Sequence, residues 1–193
     1  MKTAVAIVVI AAALAIVRPW TVVSNRTTTG RTFDPASYVT SIWESRVIPS
    51  AERSAIDLEA FMQGAAVSGT PRAVFVKGTA RIADVDRSSR VGLARLKLPW
   101  QKDGRGAAIQ IGPVIRGTAV RDALDFIRFT DFLNQLEFAG VAGALNDRVL
   151  NTVLDRPVNA GSEVTFLGAV PKSTSGEIVE IVPVKLTVAG APR

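Results

Sequence analysis

The chain has 193 residues, 48% of them apolar, which suits one domain with a core of its own plus a short extra segment. It contains neither cysteine nor histidine, which excludes disulfides, thiolate and imidazole metal sites, and any Ser-His-Asp or Cys-His catalytic device. The net charge of +6 invites a nucleic-acid reading, but Lys2, Arg18, Arg26 and Arg31 all precede the first acidic residue, Asp34, and from there on 19 basic side chains face 17 acidic ones.

The excess charge is therefore mostly a feature of the N-terminus. Met1 and Lys2 lead into Thr3–Val17, fifteen residues without a charge, followed by Arg18, Pro19, Trp20 and the apolar patch Thr21–Val23. A basic start and an apolar run of this length read as a secretory signal segment. Fifteen helical residues rise about 22 Å, short of the roughly 30 Å hydrocarbon core. Extending the run to Val23, with Arg18 snorkelling and Trp20 at the interface, makes up the difference. No small-x-small cleavage signal follows it, so residues 1–23 are expected to remain as an uncleaved signal anchor, with a removed signal peptide as the alternative. The flanking arginines argue for a cytoplasmic domain, whereas the short tail before a signal-like run argues for export. Residues 24–32 are polar and read as a linker, leaving 33–190 as a single globular domain.

Phe33, Asp34 and Pro35 predict a helix start: Asp34 as cap, Pro35 in the first turn, and Phe33 stapled against Tyr38. Val39, Ile42, Trp43 and Val47 recur at helical spacing, and Pro49 is expected to end the run. A second short helix is expected from Ser54, burying Leu58, Phe61 and Met62 and stopping at Gly64. The pattern then turns to strands at Ala73–Asp86, Val91–Leu98 and Ala107–Ile115, with Gly78 as a bend or bulge in the first. Residues 72–105 carry nine basic and three acidic side chains, a basic patch that reads either as a solvated strand surface or as a face for acidic lipid or an acidic partner. Helices are expected over about 119–128 and 130–155, with Thr118 and Thr130 as caps, before two closing strands, Glu163–Val170 and Ile178–Val188.

Three strands, a helix and two strands is the element order of an OB-type barrel. The expected fold is thus α+β: a small antiparallel OB-like β-barrel (β-β-β-α-β-β) behind an N-terminal helical section. An open antiparallel sheet with helices on one face is the alternative.

Candidate site residues are polar groups in otherwise apolar surroundings. On a helical projection Phe132, Leu136, Phe138, Ala142, Leu145 and Val149 share one arc, with Gln135 and Asn146 near its middle and Asn134 at its edge. Buried amides need partners, so Gln135 and Asn146 are expected either to staple the helix to strand-end or loop backbone or to face a ligand. Upstream, Arg116, Gly117, Thr118, Arg121 and Asp122 gather at a strand-to-helix junction, as an anion site at helix amides or as an Arg-Asp lock. No phosphate-loop fingerprint is present, and no metal or cofactor is expected. Asp122, Asp125 and Asp131 are the carboxylates a hydrolase would use; each is equally explained by the helix starts near it.

The run from Ile109 through Gln110, Gly112, Pro113 and Arg116 to Thr118, with Arg121, Asp122, Phe126, Ile127, Phe129, Asp131 and Phe132, and with Asn134, Gln135, Phe138, Ala139, Leu145 and Asn146, resembles the predicted periplasmic lipoprotein family known as domain of unknown function 2291. Phe33–Pro35 and Phe75–Thr79 share the resemblance, which spans roughly residues 20–188. It implies an exported, envelope-located bacterial protein often encoded beside sugar ABC-transporter components, with no established activity. Arg18-Pro19-Trp20 stands where a lipidated cysteine is expected, so the anchor helix takes the lipid's place and the balance tips toward export. The expected function is a non-catalytic, membrane-anchored periplasmic accessory or binding protein, single-pass in the inner membrane, contacting transporter components or a small polar ligand and no nucleic acid. An OB-type nucleic-acid binder is the alternative from another class, and a carboxylate-dependent hydrolase a third.

Overall fold

The computed structural model describes residues 33–65, 69, 71–101, 104, 106–153, 157–172 and 178–189. The anchor and linker expected over residues 1–32 lie outside them. Among the described residues no helix is long and apolar enough to cross a membrane.

Helix α1, Pro35–Ile42, starts as its sequence dictates. The Asp34 carboxylate accepts from the Ala36 and Ser37 amides at 3.1 and 3.2 Å, and Pro35 occupies the first turn, where no amide donor is needed. The Phe33 and Tyr38 rings meet at 5.5 Å, the expected staple. Val39, Ile42, Trp43 and Val47 are all buried. Pro49 does not end the helical run. A π-helical segment, Trp43–Val47, leads directly into α2, Ile48–Ser54, with Pro49 near its start. Widening the backbone spacing ahead of a proline relieves the clash of its ring with the preceding turn and leaves its missing amide without consequence. The next helix starts later than expected, as α3, Leu58–Met62, and Gly64 terminates it at φ +85°. Between α2 and α3 lies a two-residue strand, β1, Ile56–Asp57, which pairs parallel to β2. It is too short to leave a periodic pattern in the sequence.

The remaining strands are β2, Ala73–Asp86; β3, Leu93–Lys97; β4, Gly106–Gln110; β5, Glu163–Pro171; and β6, Ile178–Val188. The result is a mixed α+β fold with one six-stranded sheet in the order β1-β2-β3-β4-β6-β5. β5 also pairs with β2, so the hydrogen-bonded neighbours β2, β3, β4, β6 and β5 form a ring. All its pairs are antiparallel except β4 with β6. The long β2 makes this possible by changing partners. Ala73–Arg81 pairs with β5 and Arg81–Asp86 with β3, so Arg81 stands opposite both Glu163 and Lys97.

Gly78 is not a bulge. Its pairing with Phe166 is in register, and the irregularities fall between Ile82 and Asp84 and between Leu167 and Gly168. A side chain at Gly78 would come within 3.0 Å of the Phe166 ring, so the absent Cβ makes room for that buried phenylalanine. At Gly112 the crowding is with backbone: a Cβ there would lie 2.2 Å from the Val91 carbonyl oxygen, to which the Gly112 amide donates at 2.6 Å. This contact pins the chain leaving β4 to the chain entering β3, and it stops β4 at Gln110, short of the expected Ile115.

The expected helix over 119–128 is only one turn, α4, Ala119–Asp122. The chain then turns irregularly, burying Leu124 and Ile127, and passes through a 3-10 turn at Phe129–Asp131. Helix α5 spans Gln135–Val153, starting later than the Thr130 cap would place it. The Asn134 side chain accepts from the Glu137 amide at 2.9 Å, while the Glu137 carboxylate accepts from the Leu133 amide at 3.0 Å. This reciprocal pair closes the helix end more completely than a lone hydroxyl. α5 packs on α1 and β6, and α4 on β2 and β5, so parts of these strands are buried on both faces.

Candidate functional site

Two places gather polar side chains. The first is the junction after β4, and its organiser is a residue outside the expected set. Gln110, at the end of β4, is buried, and its side chain is satisfied on both sides. Its amide nitrogen donates to the Glu180 carboxylate of β6 at 2.9 Å, and its oxygen accepts from the Arg116 amide at 2.8 Å. The Arg116 guanidinium closes the loop on the same Glu180 carboxylate. Glu180 lies in an apolar strand, IVEIV, and Gln110 in another, AAIQI. A polar residue flanked on both sides by apolar ones is the signal that marks them.

Gly117 follows at φ +86°, a left-handed conformation that costs glycine nothing. Its carbonyl accepts from the Asn146 side chain of α5 at 2.9 Å. Asn146 therefore staples the helix to loop backbone, one of its two expected roles. Thr118 does not cap α4. Its hydroxyl donates to Asp122 at 2.6 Å, and Asp122 also receives Arg121 through Nε at 2.9 Å and Nη2 at 2.7 Å. The Arg121 guanidinium lies 4.1 Å from the centroid of the Phe138 ring, which covers its face. Arg116, Gly117, Thr118, Arg121, Asp122 and Asn146 thus lie at one junction, in three hydrogen-bonded sets joined by the backbone of residues 116–118.

Gln135 and Asn134 do not join it. Both are exposed at the start of α5, where Asn134 is a cap and Gln135 the first helical residue. The helical projection errs here because the buried stripe runs through Val141, Ala142, Leu145 and Val149, while Leu136 is exposed. The other expected carboxylates are also accounted for. Asp131 accepts from the Arg128 amide and pairs with its guanidinium, and Asp125 is exposed. Among the described residues no three acidic side chains converge as metal ligands, and no buried side-chain polar atom lacks a hydrogen bond. At the junction the Glu180 and Asp122 carboxylates are each paired with an arginine, Arg116 and Arg121, and the Arg116 side chain remains 63% exposed.

The second place is open. An outward groove of about 420 Å³ is lined by Thr79, Ala80, Arg81, Lys97, Pro99 and Glu163, where β2 passes from β5 to β3. The partner change sets Lys97 and Glu163 on opposite sides of Arg81. Two residues back along β2 the Thr79 and Thr165 hydroxyls meet at 2.9 Å. Part of the basic stretch is already neutralised, since Arg95 pairs with Asp84 at 2.9 Å and with Asp86 at 3.7 Å. Two cations, one carboxylate and the Thr79 hydroxyl around a groove of this size suit a small ligand with anionic groups.

The fold is similar to the crystal structure of an OB-fold protein from Thermotoga maritima MSB8, with a TM-score of 0.59 at 18% identity over 81% of this chain and 98% of that one. At that identity the likeness concerns the fold alone. The family described as predicted periplasmic lipoprotein (DUF2291) matches residues 4–187, and the chain belongs to it. No curated protein matches the sequence.

Proposed function

We propose that this chain is a non-catalytic periplasmic binding or accessory module, held at the inner membrane by residues 1–23 as a single-pass anchor and serving a solute uptake system of the sugar ABC type. The ring of strand pairings is read as a small OB-like barrel whose groove at Arg81, Lys97 and Glu163 is the ligand face. That groove is the observation that carries the reading. It is an open, largely apolar concavity edged by Arg81, Lys97 and Glu163, whereas the carboxylates of the junction, Glu180 and Asp122, are already engaged by Arg116 and Arg121. Family membership supports the periplasmic setting, and the resemblance to a family encoded beside transporter components supports the uptake role.

The test pairs the groove with the membrane. Arg81→Glu with Lys97→Glu is expected to abolish crosslinking of the full chain to transporter subunits in intact membranes, and to abolish thermal stabilisation by sugar phosphates or sugar acids. Unchanged crosslinking and unchanged stabilisation in that variant contradict the reading.

The OB-type nucleic-acid reading draws on the same fold. Its stacking platform is missing from the groove strands, because Phe75 and Phe166 are 1% and 2% exposed and belong to the core. Retardation of single-stranded DNA at low salt would restore it.

A further inference from the structure

Three large apolar side chains are conspicuously exposed among the described residues: Phe129 at 54%, Leu133 at 91% and Leu136 at 83%. All three fall within eight residues of the chain, on the approach to α5 and in its first turn. They are held there by structure. The reciprocal cap between Asn134 and Glu137 fixes the backbone on either side of Leu133. Phe129 stacks edge-on against Phe138 at 5.6 Å, and Phe138 meets Phe132 at 5.7 Å. Exposing three such side chains within eight residues is unfavourable for a free-standing domain and marks a segment that is covered in use.

What covers it follows from where the chain enters. Phe132, next to Leu133, packs against Phe33 with ring centroids 5.5 Å apart and against Tyr38 at 5.9 Å. Phe33 is the residue at which the N-terminal segment joins the domain. Only nine residues, 24–32, separate it from the apolar run ending at Val23. Fully extended, nine residues reach about 30 Å. On the anchored reading above, on which this inference rests, the patch lies beside the point of tether and within reach of the bilayer surface.

We propose that Phe129, Leu133 and Leu136 form a membrane-contact edge that seats in the interfacial layer of the lipid and sets the orientation of the domain on the membrane. The charges around it predict how it binds. Among the described residues Arg128 is paired with Asp131, and Asp34 and Glu137 are engaged in helix caps, so the patch itself has no cationic surplus. Apolar insertion drives the contact, and Arg26 and Arg31 of the linker add an attraction to anionic lipid.

The chain has no cysteine, so single-cysteine labelling is free of background. Full-length protein carrying an environment-sensitive fluorophore at Leu133→Cys or Leu136→Cys is reconstituted into phosphatidylcholine vesicles with and without phosphatidylglycerol, using lipid-borne and aqueous quenchers. Ser89→Cys, in the exposed turn between β2 and β3, is the solvent control, and Ala12→Cys reports on the anchor. Labels at 133 and 136 are expected to lose roughly half or more of their emission to the lipid quencher, as fits a depth of about 5–10 Å. Quenching is expected already in phosphatidylcholine alone, with the Ser89 label unaffected. Quenching at Ala12 with none at 133 and 136 overturns the proposal while leaving the anchor intact. Absence of quenching at Ala12 as well overturns the anchored reading and the proposal with it. Protection of 133 and 136 from both quenchers assigns the patch to a protein surface, a partner or a second copy, and also overturns it.

Discussion

Asp34 sits at a helix N-terminus where the Ser37 hydroxyl and the Ser37 and Ala36 amides all donate to its carboxylate, holding its pKa below the ordinary value for an aspartate. Because the folded pKa is the lower one, the stabilisation is present above the unfolded value near 4 and is lost as pH falls through the folded value. Asp34→Asn keeps an acceptor but removes the titration. The stability margin of wild type over this variant, read by urea unfolding, is expected to be constant from neutral pH down to about pH 5 and to shrink below about pH 4. At Asp122 the consequence is larger. Arg121 is only 11% exposed and has Asp122 as its carboxylate, so Asp122→Ala leaves a guanidinium largely buried without its counter-charge. A loss of about 3 kcal/mol is expected, measured as a lowered urea midpoint at unchanged slope. A loss no larger than that of an exposed pair, under about 1 kcal/mol, would remove Asp122 from its role as a lock.

At the scale of elements, two glycines give predictions of opposite sign. Gly112→Ala drives a Cβ into the Val91 carbonyl, a backbone atom that cannot rotate away. It is expected to cost about 3 kcal/mol or to prevent folding. Gly143 lies within α5 with nothing near its missing Cβ, and its φ is not positive, so Gly143→Ala is expected to stabilise by about 0.5–1 kcal/mol. Thermal unfolding of the two variants decides both. The same elements show what sequence reading reaches. Asp34 and Pro35 announce α1 because capping is local chemistry, and β2 and β6 are read to the residue because their apolar patterns are long and bounded by turn residues. The helix through Pro49, the start of α5 and the course of residues 123–128 are not legible. Each is settled by which side chains the rest of the fold buries, as Leu136 shows by standing in water on a projected apolar arc. At the junction the sequence reading finds six of its members, from Arg116 to Asn146. It misses Gln110 and Glu180, because a polar residue in a strand acquires meaning only when β4 and β6 pair in parallel and bring the two together.

For the whole molecule, the partner change of β2 at Arg81 ties architecture to the proposed ligand face: the strand that joins the two halves of the ring also lines the groove. The junction, by contrast, is a clasp between β4, β6 and α5. The reading as a binding module therefore predicts that groove substitutions spare stability and that clasp substitutions destroy it. The proposed setting at the periplasmic face of the inner membrane is open to direct measurement. In cells expressing Ser89→Cys, a membrane-impermeant maleimide added after opening only the outer membrane is expected to label the full-length chain in the membrane fraction, with residues 1–23 still attached. Labelling that appears only after the inner membrane is lysed, or a soluble labelled chain that begins beyond Val23, would contradict a membrane-held periplasmic domain.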